Sequence, residues 1–146
     1  MPKDIDRVPV PDMFCHASYG ATHGINQAYA PMLKHLGLTY PQYIAMLTLD
    51  EANGLTVGQV SEKLKMKTST ITPLLKRLET LGYLVRQRQK HDERKVLVSL
   101  TDAGRRSLQE APEITACMIS KTGLSEDDLM QLVDLLHRLT ENLAAE

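Results

Sequence analysis

The chain has 146 residues and a mass of 16.3 kDa, one ordinary domain's worth of material, with 42% hydrophobic and 24% charged residues. That balance excludes a disordered or fibrous chain. No apolar run approaches the roughly 20 residues of a membrane span and residues 1–11 lack a signal peptide's apolar stretch, so a cytoplasmic protein is expected. The formal net charge of −1 conceals an asymmetry: residues 59–95 hold ten Lys or Arg against four Asp or Glu, a local +6 within a remainder of −7. Such a block points to a polyanion contact confined to one region.

Pro2, Pro9 and Pro11 make the opening stretch extended, after which Asp12 caps a first helix running to Leu33. Ala17, Gly20, Ala21 and Gly24 leave little bulk inside it, which predicts close packing on another element, and Pro31 predicts a kink near its end. Gly37 marks that end. Thr39 with Gln42 forms a capping-box pattern, with Pro41 in the first turn, and Ile44, Leu47 and Leu49 carry the apolar side of a second helix to Glu51. Asn53 and Gly54 turn the chain. Thr56 with Gln59 repeats the capping box before a short third helix through Leu64.

The hydroxyls of residues 68–72 are candidate N-caps for a fourth helix, with Ile71, Leu74, Leu75, Leu78 and Leu81 at helical spacing, Pro73 near its first turn and Gly82 at its end. Residues 83–88 and 95–100 read as two short strands joined by a charged tip over 89–94. Thr101 then caps a fifth helix through Leu108 and Ile114 towards Met118. Gly123 separates it from a last helix started by Ser125 and Asp128, on which Leu129, Leu132, Val133, Leu136, Leu139 and Leu143 form an apolar stripe.

Two short helices, a helix with a polar N-terminal end and a basic hairpin, in that order, make a mainly α fold with a small β wing: a winged helix-turn-helix. The fourth helix offers Thr68, Ser69, Thr70 and Thr72 at its start and Lys76 and Arg77 a turn later. Short hydroxyls there can approach base edges or phosphates closely. The hairpin supplies Arg86, Arg88, Lys90 and Arg94, and Asp92 can hold the Arg94 guanidinium in one direction, fit for a narrow minor groove. Taken alone, the same hairpin reads as a solvated surface. Likewise the last helix's stripe reads either as intrachain core or as one half of a twofold dimer, whose two recognition helices would lie roughly 34 Å apart on a near-palindrome.

The segment Asp92-Glu93-Arg94 through Leu100-Thr101 resembles the D-x-R-x5-L-T wing signature of the MarR family of transcription regulators. The resemblance implies that Arg94 probes the minor groove with Asp92 orienting it, and that the fourth helix lies in the major groove of double-stranded DNA. It also implies a homodimer built by residues 12–36 and 101–146, with the winged helix-turn-helix at 40–100, all within a single domain over 1–146.

Cys15 and Cys117 are too few for a disulfide scaffold or a cysteine metal site, so no metal or cofactor is expected. Cys15 falls three residues after Asp12, in the first helical turn, where the helix N-terminus favours the thiolate and the Asp12 charge opposes it. Tyr19 shares that helix face. Tyr29 and Tyr40 lie farther off and reach Cys15 only through tertiary packing or from a second subunit. A cysteine so placed is otherwise read as a small buried hydrophobe among core aromatics. Phe14-Cys15 with Tyr19, Tyr29 and residues 38–43 (Leu-Thr-Tyr-Pro-Gln-Tyr), together with Thr72-Pro73-Leu74-Leu75-Lys76-Arg77, is similar to the OhrR branch of the family, the organic hydroperoxide resistance regulators. That resemblance implies that Cys15 is the peroxide-sensing thiol, that Tyr29 and Tyr40 hydrogen-bond its thiolate with Tyr19 a weaker member, and that Cys117 of the other subunit resolves it as a disulfide. His16, Ala17, His23 and Gly24 depart from the branch's pattern and leave the shape of the peroxide pocket open.

The implied function is a redox-sensing repressor, not an enzyme, released from a palindromic operator when organic hydroperoxide oxidises Cys15. Three alternatives stand beside it: a MarR-type regulator gated by a phenolic or drug-like ligand, a thiol peroxidase using the same two cysteines, and a helical partner-binding protein that never meets DNA.

Overall fold

The computed structural model describes residues 9–52 and 54–145; the expected extended stretch at Pro2 and the turn residue Asn53 lie outside them. Its elements are α1 (Phe14–Leu33), α2 (Tyr40–Asp50), β1 (Leu55–Thr56), α3 (Val57–Leu64), α4 (Thr68–Thr80), β2 (Leu84–Gln89), β3 (Asp92–Leu100), α5 (Asp102–Ser107), α6 (Ala111–Thr122) and α7 (Glu126–Ala144). They divide into two compact units, Met1–Glu110 and Ala111–Glu146. The mainly helical fold with a small antiparallel wing is the one expected.

Three helix starts form as the sequence predicts. Thr39 with Gln42, Thr56 with Gln59 and Ser125 with Asp128 each complete a capping box, in which side chain and backbone satisfy one another's free groups. The start of α1 differs. Pro11 winds residues 10–12 into a turn of 3-10 helix that consumes Asp12, so Met13 becomes the N-cap and no side chain caps the helix. Cys15 nevertheless remains in the first turn. At the other end Pro31 sits in the last turn of α1, a 3-10 turn (Lys34–Leu36) follows, and Gly37 closes it at φ 67° while the Leu38 amide returns to the Leu33 carbonyl over 3.3 Å.

Helix α4 also starts differently. Lys65 takes a left-handed φ of 54° at the end of α3, which turns the chain so sharply that Lys67 is already the N-cap, and no hydroxyl of residues 68–72 caps the helix. Pro73 consequently stands as the sixth helical residue, one turn deeper than expected, where its missing N–H leaves the Ser69 carbonyl without its helical donor. The expected fifth helix is two: α5 ends at Ser107 and α6 begins at Ala111, because Pro112 fits a first turn and not a helix interior. Cys117 thus sits in the middle of α6.

The sheet has three strands in the order β1-β3-β2, all antiparallel. Strand β3 starts at Asp92, three residues earlier than expected, with an irregularity between Arg88 and Gln89 that sharpens the tip. Strand β1, two residues long and unforeseen, pairs Leu55 with Val98 and Thr56 with Leu97.

The first unit's core joins Leu33, Tyr43, Ala45, Met46 and Leu49 to Val60, Ile71, Leu75, Leu78, Leu84, Val98 and Leu100. In the second unit α7 buries no residue, and Leu132, Val133, Leu136 and Leu143 of its apolar stripe are exposed.

The wing is hinged on a tight joint. The Thr101 hydroxyl donates to the Gly82 carbonyl at 2.6 Å and accepts the Gly104 amide at 3.1 Å, drawing α5 so close that a methyl group at Gly104 would overlap the Tyr83 carbonyl. Gly104→Ala is expected to destabilise the protein by about 2 kcal/mol through this overpacking, read as a lowered midpoint of urea unfolding.

Candidate DNA interface and thiol site

Helix α4 buries Ile71, Leu75 and Leu78, residues spaced by four and three, and this stripe turns Thr68, Ser69, Thr70, Thr72, Lys76 and Arg77 to the exposed side. Not all its hydroxyls are equally available. Thr72 donates back to the Thr68 carbonyl at 2.9 Å and Thr68 faces the Ser61 hydroxyl at 3.5 Å, whereas Ser69 and Thr70 make no side-chain hydrogen bond among the described residues. Ser69 and Thr70 can therefore turn to a ligand at no internal cost.

On the wing Arg88, Lys90 and Arg94 are exposed and Asp92 is half-buried. Asp92 holds Arg94 differently from the expectation: its Oδ1 accepts the Arg94 backbone amide at 3.1 Å. The carboxylate thus fixes the turn from which the Arg94 side chain departs, and the guanidinium forms no ion pair among the described residues. Arg86 stands apart, half-buried, with Nε 3.3 Å from Glu79 Oε2.

Cys15 and Cys117 are free and exposed. Tyr29 and Tyr40 stack with ring centroids 4.5 Å apart, and Tyr43 lies 5.9 Å from Tyr29. Burial raises both the Tyr29 and Tyr40 pKa values above 10.0, and for Tyr29 the charges Tyr40 and Tyr43 would carry add to the shift. Cys15 is not part of this cluster. It shares α1 with Tyr29 fourteen positions away, about 21 Å along a helix, so the two cannot meet within one chain. Tyr19 is 75% exposed, His16 is exposed, and His23 Nε2 lies 3.1 Å from Gln27 Nε2 on the same helix.

A family model described as transcriptional regulator SarA/Rot matches residues 27–111. An organic hydroperoxide resistance transcriptional regulator of Bacillus subtilis (strain 168) is 36% identical over 143 residues, 98% of this chain and 97% of the relative. The chain belongs to the MarR/SarA-type transcriptional regulators.

Solved members of the family share its fold. AbfR of Staphylococcus epidermidis, in its reduced form bound to DNA, is similar over 99% of both chains with a TM-score of 0.78 and 31% identity. The disulfide-formed AbfR is similar over 86% of this chain and 88% of that one, with a TM-score of 0.62 and 33% identity. PcaV of Streptomyces coelicolor, in complex with its natural ligand, gives 0.83 at 27% identity over 95% of this chain and 98% of that one. The curated relatives are named as transcriptional regulators rather than enzymes. Among the described residues no helix is long and apolar enough to cross a membrane, and no cluster of metal-ligating side chains occurs.

Two ties in this MarR-type chain could not be foreseen from its sequence. Tyr83 donates its hydroxyl to the Leu36 carbonyl at 2.9 Å, and His35 Nε2 lies 2.9 Å from Glu110 Oε2. Neither pair has a local spacing that could have announced it.

Because their folded-state pKa values are raised, Tyr29 and Tyr40 contribute stability that is complete below about pH 10 and is lost as pH rises through the higher folded values. Thermal unfolding followed from pH 8 to 12 should show that decline, and it should be shallower in the Tyr29→Phe/Tyr40→Phe variant.

Proposed function

We propose that the protein is a homodimeric repressor that binds a near-palindromic operator through α4 and the wing and senses organic hydroperoxide at Cys15. The observation carrying this reading is the pair of exposed thiols, Cys15 in the first turn of α1 and Cys117 on α6, in a chain 36% identical to an organic hydroperoxide resistance regulator. Thiol exposure at a helix N-terminus suits attack on a peroxide.

Sensing takes two chemical steps. The Cys15 thiolate attacks the terminal oxygen of the hydroperoxide, the O–O bond breaks, sulfur becomes a sulfenic acid, and the alcohol leaves with a proton. The Cys117 thiol of a second subunit then displaces water from that sulfenic acid and forms the S–S bond. Reduction by a cellular thiol reverses the second product.

Dimerisation follows from the two uncovered helices. The exposed apolar stripe of α7 and the small-residue first half of α1 are faces a second copy can cover. It also answers the 21 Å problem, since Tyr29 and Tyr40 of one subunit can meet Cys15 only in the other. There their hydroxyls would donate to the thiolate; Tyr19 lies near enough in sequence to Cys15 to help from its own helix. On the DNA side, Ser69 and Thr70 approach base edges, Thr68, Thr72, Lys76, Arg77, Arg88 and Lys90 serve the backbone, and Arg94 enters the minor groove from the turn fixed by Asp92. Loss of several phosphate contacts when the subunits shift lowers affinity steeply, because each contributes to counterion release.

A second reading, a regulator gated by a small organic ligand, is favoured by the similarity to ligand-bound PcaV. Cys15→Ser separates the two. In a gel shift on a duplex selected by the wild-type protein from a randomised library, cumene hydroperoxide should release the wild type and leave the Cys15→Ser complex intact; release of both would sink redox sensing at Cys15. A non-reducing gel should give a disulfide dimer only when both Cys15 and Cys117 are present. Arg94→Ala should weaken operator binding roughly tenfold or more, read by titration at fixed salt.

A further inference from the structure

Arg86 lies in the basic block yet does not behave as a surface cation. Along β2, Leu84 and Arg86 share one face by the two-residue period of a strand: Leu84 is buried and Arg86 half-buried, while Val85, Gln87 and Arg88 are exposed. The Arg86 side chain thus runs inward towards α4, with its Nε and Nη2 withdrawn from solvent. Its Nε lies 3.3 Å from Glu79 Oε2 in an ion pair too bent to count as an aligned hydrogen bond.

Glu79 has no reason of its own to be acidic. It occupies the last turn of α4, where the helix dipole disfavours a negative charge, and it stands within a basic block suited to a polyanion. Arg86 is the described cation that offsets it.

The position of this pair along the wing gives it leverage. In the order β1-β3-β2, strand β3 is braced by β1 at Leu97 and Val98, but β2 is an edge strand with no strand on its outer side among the described residues. Arg86 stands opposite Val98, at the same level as that brace. Beyond it, residues 87–96 have no side-chain hydrogen bond or ion pair to any residue outside the hairpin among the described residues, and a two-stranded ribbon of that kind is not rigid by itself. The Arg86–Glu79 pair is therefore the outermost polar tie between the wing and α4 among the described residues.

We propose that Arg86 is a positioning residue, which with Glu79 fixes the height of the wing above the recognition helix and does not itself contact nucleic acid. The proposal rests on the DNA-binding reading above. It sets how far apart α4 and Arg94 stand, and so which spacing of major-groove and minor-groove contacts the protein accepts.

Glu79→Gln tests it by sign. Removing a negative charge beside a polyanion strengthens binding on electrostatic grounds alone, whereas loss of the tie weakens it. In the reduced, full-length protein, binding to the duplex selected by the wild type should fall roughly fivefold, with binding to an unrelated duplex unchanged or tighter. Arg86→Lys should lose less than Arg86→Gln, and the reversed pair, Glu79→Arg with Arg86→Glu, should recover most of either single loss. Amide hydrogen exchange of the DNA-free protein gives the second readout: both single variants should speed exchange within residues 87–96 and leave the thermal midpoint nearly unchanged. Tighter binding of Glu79→Gln to both duplexes would overturn the proposal, as would an Arg86→Gln salt slope shallower by about one on the unrelated duplex, the mark of a phosphate contact. If the wild type binds no duplex, the DNA reading fails, and unchanged exchange in residues 87–96 would still decide against the tie.

Discussion

The interface side of the molecule depends on the burial of Ile71, Leu75 and Leu78, all fully enclosed where α4 packs against α2, α3 and β2. A fully buried aliphatic side chain contributes about 1.5–3 kcal/mol, so three on one stripe hold the helix against rotation about its own axis. Turning α4 by one residue, about 100°, would push Thr72 or Lys76 into that core and strand a polar group without a partner. The orientation of Ser69, Thr70, Lys76 and Arg77 is thus a consequence of apolar packing on the opposite face. Such rigidity is what the proposed role of α4 in sequence discrimination would require, since the polar face is in place before a ligand arrives.

Helix α1 works under a different constraint. Its first half is almost wholly exposed, yet one row of its polar side chains is already satisfied: Ser18 donates to the Phe14 carbonyl, Thr22 to that of Ser18 and Asn26 to that of Thr22, each four residues back. These residues form a single row along the helix, and open space surrounds Gly20 and Gly24. A face so built can be pressed against another helix without leaving donors unpaired, which is the demand that the proposed second copy would make of it. The same helix, by its length, keeps Cys15 away from the tyrosine pair of its own chain. The proposed sensor, divided in this manner, would be complete only in the assembled state.

What could be read from the sequence, and what could not, divides along the range of the interactions. Capping boxes at Thr39, Thr56 and Ser125 are three-residue patterns with a local cause, and all three form. The α4 stripe and the hairpin follow from periods of 3.6 and 2. The failures came where a local preference met a neighbour. Asp12 is a good cap by type, but Pro11 had already bent the chain around it; the hydroxyls at 68–72 are good caps, but the left-handed turn at Lys65 started the helix before them. Two-residue β1 has no period to detect and exists because β3 offers it a partner. Arg86, counted with the exposed basic residues, could have been set apart by one signal present in the sequence: it stands two positions after Leu84, on the strand face that the buried Leu84 defines.

The ties of the wing grade from its base to its tip. At the base, Tyr83 gives its carbonyl to the Thr101 amide at 3.0 Å and its hydroxyl to Leu36, so the residue from which the wing departs is fixed both to the start of α5 and to the end of the turn that closes α1. Half-way out, backbone pairing to β1 and the Arg86–Glu79 contact hold the two strands at one level. Past that level the two strands pair only with each other among the described residues, and the Asp92 cap on the Arg94 amide shapes the turn at the tip. In the proposed regulator a displacement of the end of α1 would reach Tyr83 through the Leu36 bond and be carried outward by a braced lever, while the unbraced tip would keep the freedom to follow a groove. A wing stiff throughout would transmit such a movement but could not adapt to DNA shape; one loose throughout would adapt and transmit nothing.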